Sequence, residues 1–183
     1  MTPGARTTGP VAVLIGPPGS GKTTVGRLLA QHLEVGFRDT DVDVESVAGK
    51  PVADIFVEDG EPRFRELERE AVTSALAGHG GVLALGGGSV MDEHARRALE
   101  AYATAGGVVV FLDVSLAHAG PRVGFNQSRP LLLGNPRARW TELMNKRRPV
   151  YERLATVRVL SDGRSAGEVA TQVYEEVQAC RSA

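Results

Sequence analysis

Residues Gly16-Pro17-Pro18-Gly19-Ser20-Gly21-Lys22-Thr23 satisfy every fixed position of the pattern G-x-x-x-x-G-K-[ST], and Thr24 follows directly. The chemistry of such a run is the holding of a polyphosphate. Glycines let the backbone curl so that successive N–H groups point inward at phosphate oxygens. A following helix adds the positive end of its dipole. Lys22 is spaced to reach the β- and γ-phosphates, and the Thr23 hydroxyl to ligate Mg2+. A glycine-rich turn that merely joins two elements would share the composition but not the flanks. Here residues 11–15 form an apolar, strand-like run and residues 24–33 read as a helix.

Three further groups can carry chemistry. In Asp39-Thr40-Asp41, an extended backbone would aim both carboxylates one way and Thr40 the other. Asp39 could then hold a water of the Mg2+ shell, and Asp41 could take a proton from an attacking hydroxyl. Alternatively, the acids cap a following helix. Arg65 and Glu68 lie three apart on a predicted helix, so Glu68 can hold the guanidinium. A guanidinium so held can grip a carboxylate with two parallel bonds; a solvated helical arginine is the plainer alternative. Gly86-Gly87-Gly88 follows an apolar strand, which means backbone approaching either a helix or a ligand closely. Ser89 beside it lacks the G-x-S-x-G spacing of a hydrolase nucleophile.

These residues need a scaffold that brings them together. Strand signals at residues 36–39, 82–85, 108–112 and 156–160 join the first strand and alternate with helical stretches at 51–57, 62–77, 92–104, 135–154 and 166–180. Continuous apolar strands separated by helices predict a five-stranded parallel sheet covered on both faces. Ligands of such sheets sit at the carboxyl ends of the strands, where the phosphate loop, the Asp39–Asp41 pair and the glycine triplet would meet. Residues 119–136, with three Gly and three Pro, interrupt the pattern and read as a flexible excursion. Arg129 lies in it, where a mobile guanidinium could cover transferring phosphate. Trp140 reads as packing.

The chain of 183 residues suits one domain, with residues 1–10 expected to lack fixed structure. A formal net charge of −1 marks it as neither a nucleic-acid nor a membrane binder. Residues 39–70 hold eleven acids against four bases, and residues 120–164 ten bases against three acids. Two solvated faces would explain that split, as would a basic lid over ATP and carboxylates near Mg2+ and a hydroxyl substrate. One cysteine, Cys180, no signal peptide and no membrane-length apolar run make cytoplasmic residence the expectation. The scattered histidines offer no zinc spacing.

The ordered set as a whole resembles the shikimate kinase family. It comprises Asp39-Thr40-Asp41, Asp54-Ile55-Phe56, Asp59-Gly60-Glu61, Phe64-Arg65-x-x-Glu68, Leu85-Gly86-Gly87-Gly88, Arg129-Pro130-Leu131-Leu132 and Arg147-x-Pro149-x-Tyr151. The resemblance implies transfer of the γ-phosphate of ATP to the 3-hydroxyl of shikimate with Mg2+, in the pathway to aromatic amino acids. It implies a P-loop fold of nucleoside-monophosphate-kinase type, with strand order 2-3-1-4-5, a shikimate-binding region near residues 40–70 and a lid near 119–136. Asp41 matches the aspartate that binds the ring hydroxyls and serves as base, and Asp39 the one near Mg2+. Arg65 and Arg147 match the carboxylate-binding pair. Gly86, Gly87, Gly88, Phe56 and Glu68 complete the implied substrate set. Arg129 matches the lid arginine, and Arg122 and Arg164 the pair flanking adenine. Pro121, directly before Arg122, departs from the familiar pattern and leaves that adenine contact open. Phe125 likewise stands where small or polar lid residues are familiar.

Two other functions are compatible with the phosphate loop. One is a nucleoside-monophosphate or gluconate kinase, which the paired acids and glycine triplet disfavour. The other is a nucleotide-binding regulator without turnover, which would have no use for an acceptor site. Since no apolar stripe compels assembly, a monomer is expected.

Overall fold

The computed structural model describes residues 9–123 and 134–182. Its element order is β1 (Ala12–Ile15), α1 (Lys22–His32), β2 (Phe37–Asp39), α2 (Thr40–Ala48), α3 (Val52–Glu58), α4 (Glu61–Gly78), β3 (Val82–Ala84), a 3-10 turn (Ser89–Met91), α5 (Glu93–Thr104), β4 (Val109–Asp113), α6 (Leu116–Val123), α7 (Pro136–Leu154), β5 (Val157–Leu160) and α8 (Ala166–Ser182). The five strands form one parallel sheet, as the alternating pattern predicts, in the order β2-β3-β1-β4-β5 that the family resemblance implies.

Alternation along β1 divides the core. Val13 and Ile15 point to one face, where Leu83, Phe111, Leu99, Trp140 and Tyr151 pack, and Ala12 and Leu14 point to the other, against Val25, Leu29, Val169 and Val173. Both faces of β1 are therefore dry, which is why its sequence is uniformly apolar. A third cluster of Val44, Ile55, Phe64, Leu67 and Ala71 binds α2, α3 and α4 beside the sheet. It sets the acid-rich region within reach of the strand ends.

Three expectations need correction. Thr40 and Asp41 are not strand residues: the backbone turns into α2 directly after Asp39, whose side chain accepts the Asp41 N–H as an N-cap. The excursion expected over 119–136 begins later, because residues 119–123 complete α6 and Pro136 opens α7. Pro121 removes one helical donor, but burial of Ala119, Gly120 and Val123 outweighs that loss in so short a helix. Pro10, placed with the unstructured arm, is buried, and its carbonyl accepts the Tyr102 hydroxyl at 2.9 Å.

Candidate active site

The phosphate loop joins β1 to α1. Gly16 adopts φ +149°, and a Cβ there would lie 2.4 Å from the Leu112 carbonyl oxygen, so both conformation and space require glycine. Lys22 Nζ donates to the carbonyls of Gly16 (2.8 Å) and Pro17 (3.1 Å), which folds the ammonium over the loop. The Ser20 hydroxyl is buried without a hydrogen-bond partner among the described residues. Such an orphan in a ring of backbone donors suits a loop built to surround an anion. Thr23 Oγ1 donates to Asp39 Oδ2 at 2.8 Å, so the expected metal pair is in direct contact.

Beside this loop lies a cleft of about 220 Å³, lined by Ser20, Gly21, Thr24, Arg122, Arg164 and their neighbours. Arg122 stays on its helix despite Pro121 and donates to Ser161 Oγ and O, each at 3.2 Å. Arg164 donates to the Leu160 and Glu168 carbonyls and to Gln172. The two arginines thus border one cavity next to the phosphate loop.

The acceptor side gathers round the glycine triplet. A Cβ on Gly86 would sit 2.6 Å from Asp41 Oδ1 and 2.8 Å from Glu68 Oε1. One on Gly88 would sit 2.6 Å from Arg65 Nη1 and 3.1 Å from Arg147 Nη2, and one on Gly87 3.3 Å from the Gly16 carbonyl oxygen. Two carboxylates, two guanidiniums and the phosphate loop therefore converge on three residues that have no side chains. Glu68, 2% exposed, accepts Arg65 Nη1 at 2.7 Å. Burial alone would lower the Arg65 guanidinium, but the Glu68 charge and hydrogen bond outweigh that and hold its pKa above the usual value. Arg147, on α7, is 4% exposed. Arg65 is paired with Glu68 and Glu61, and Arg147 reaches the same glycine triplet from α7, so a carboxylate ligand placed there would meet two guanidiniums.

These distances join the paired acids, the two arginines and the glycine triplet into one rim. A family model described as shikimate kinase matches residues 18–178. The chain belongs to the shikimate kinase family. It is 54% identical to the shikimate kinase of Salinispora arenicola over 164 residues, which are 90% of this chain and 95% of that one. It is 53% identical to that of Thermobifida fusca over 170 residues, 93% and 96% of the two chains. Its fold superposes with TM-score 0.87 on a shikimate kinase from Acinetobacter baumannii solved in complex with shikimate, at 30% identity and 95% coverage of both chains.

Two expected shikimate kinase site residues stand apart from this gathering. Arg129, like Phe125 with its departure from the familiar lid pattern, lies outside the described residues. Phe56 packs on Phe64 with ring centroids 4.6 Å apart, and Phe64 in turn lies under Arg65, so Phe56 meets the site at second hand. Sequence reasoning also missed contacts. Trp140 packs in the core as expected, yet its indole N–H also donates to the Pro18 carbonyl. Asp113, 2% exposed at the end of β4, is gripped by Arg148 and Arg158. An acid closing an apolar strand was the available signal, but its partners are 35 and 45 residues away.

Proposed function

We propose that the chain transfers the γ-phosphoryl group of ATP to the 3-hydroxyl of shikimate. The observation that carries this is the convergence of Asp41, Glu68, Arg65 and Arg147 on the glycine triplet, next to the phosphate loop. Shikimate offers a carboxylate for Arg65 and Arg147 and ring hydroxyls for Asp41. The acceptor oxygen forms a bond to phosphorus, the bridge to ADP breaks, and the hydroxyl proton passes to Asp41. Positioning and charge stabilisation do most of the work. Lys22 and the loop N–H groups hold the β- and γ-phosphates, and Arg129 is assigned the charge on the moving group. Arg122 and Arg164 are assigned to the two sides of adenine.

Thr23 and Asp39 would hold Mg2+. Their all-oxygen donor set suits a hard cation that keeps waters and phosphate oxygens in its shell. Bound there, the ion would neutralise phosphate charge. No helix among the described residues is long and apolar enough to cross a membrane. We assign the protein to the cytoplasm as a monomer acting on small molecules, without nucleic acid or membrane. Release of ADP with shikimate, AMP and gluconate offered side by side tests the acceptor. Turnover with shikimate alone is expected; turnover with AMP or gluconate instead would replace this reading.

A further inference from the structure

Tyr151 is fully buried on α7, one helical turn beyond Arg147, yet it reaches the acceptor site with its one polar atom. The phenol donates to the Gly87 carbonyl oxygen at 2.5 Å. The Arg147 guanidinium lies beside that peptide, its Nη1 3.4 Å from where a Cβ on Gly87 would stand, and its charge acts on the same phenol. A phenol has a single proton, and a carbonyl can only accept. The proton therefore belongs to the Gly87 bond, and the phenol lone pairs are left to face the guanidinium. We infer that Tyr151 is a positioning residue for the acceptor site, orienting the Arg147 guanidinium and the Gly87–Gly88 peptide at once.

No peptide bond among the described residues is cis, and a trans peptide is planar with C=O and N–H on opposite sides. Drawing the Gly87 carbonyl toward the buried phenol turns the Gly88 N–H away from the core. Glycines have little intrinsic preference to hold such an orientation themselves. The ring that supplies the anchor is immobilised from behind: it stacks on Phe111 of β4 with centroids 5.1 Å apart and planes at 28°. Burial pushes the Tyr151 hydroxyl up to about 12, against the pull of Arg147, so it remains a donor at neutral pH.

This inference rests on the assignment of shikimate as acceptor, and the test separates the two. Tyr151→Phe keeps the ring and its stacking while removing the bridge. In steady-state assays of the full chain, the KM for shikimate should rise about tenfold, the upper end of what one lost hydrogen bond contributes. The KM for ATP should stay within about twofold, a split that general loosening of the fold would not produce. As a second measurement on the wild type, 13Cζ-labelled tyrosine gives three signals, from Tyr102, Tyr151 and Tyr174. Those of Tyr102 and Tyr174 are assigned by Tyr102→Phe and Tyr174→Phe. Saturating shikimate should move the Tyr151 signal, and this readout stands even if Tyr151→Phe does not fold. An active wild type whose KM for shikimate is unaltered by Tyr151→Phe, or whose Tyr151 signal ignores shikimate, would overturn the positioning role alone. A wild type that forms no ADP with shikimate would overturn the acceptor assignment and this role together.

Discussion

Trp140 donates its indole N–H to the Pro18 carbonyl across 3.0 Å, tying α7 to the crest of the phosphate loop. The same helix carries Arg147 and Tyr151 to the glycine triplet. One rigid element thus touches both the nucleotide side and the acceptor side.

Trp140 is the only tryptophan of the chain. Its emission should therefore change saturably when MgADP fills the phosphate loop, and no change at occupancy proven by calorimetry would contradict this coupling. Trp140→Phe should cost about 1–3 kcal/mol of stability, from the lost bond and a partly unfilled core site. Chemical denaturation checks it.

Two glycine substitutions should behave differently. Gly88 has φ −94°, which alanine adopts freely, and the atoms nearest its new Cβ would be those of the Arg65 and Arg147 head groups. Gly88→Ala should fold with near-normal stability but raise the KM for shikimate about tenfold or more by displacing the anchors. Gly16→Ala meets backbone at a left-handed φ and should lose nucleotide binding as well as about 1–3 kcal/mol or more of stability. Calorimetric titration with each substrate separates the cases.

Why the sequence disclosed some of this and not the rest follows from range. The phosphate loop and apolar strands are local patterns, and each was legible within ten residues. The start of α2 was half-visible: Asp39 is both the cap and the partner of Thr23, so the two readings of Asp39-Thr40-Asp41 were never exclusive. Helix α6 was hidden by Gly120-Pro121, whose local preference is overridden by packing of Ala119 and Val123 against Gly19. The links of Asp113 to Arg148 and Arg158 cross 35 and 45 residues, and no spacing rule reports them.

Asp113 should make stability depend on acid. Burial would raise its pKa, but Arg148 and Arg158 more than offset this and hold it below the ordinary 3.8. A carboxyl depressed on folding contributes stability that is fully present above its unfolded value. That contribution is lost as the pH falls through the lower folded value. Asp113→Asn should cost about 1–3 kcal/mol at neutral pH, less than for a fully buried pair because both guanidiniums keep contact with water. It should also flatten the fall in stability below about pH 4. Urea melts of both proteins across about pH 2.5–7 check this, and an acid slope unaltered by Asp113→Asn would contradict the network.

Glu68 holds the Arg65 guanidinium from the buried side of the site. Glu68→Ala should release Arg65 from that position, lowering kcat/KM for shikimate about 10- to 100-fold while the affinity for ADP is retained. A parallel loss of ADP binding would show that Glu68 supports the fold rather than the acceptor anchors.

The most direct test compares ADP formation by the wild type and Asp41→Asn at saturating ATP, Mg2+ and shikimate. A kcat lower by about 100-fold or more is expected, the usual worth of a positioned base. The KM for shikimate should change by less than about threefold. An Asp41→Asn protein that turns over at the wild-type kcat would contradict the assignment of the proton to Asp41, and with it the chemistry derived for this rim.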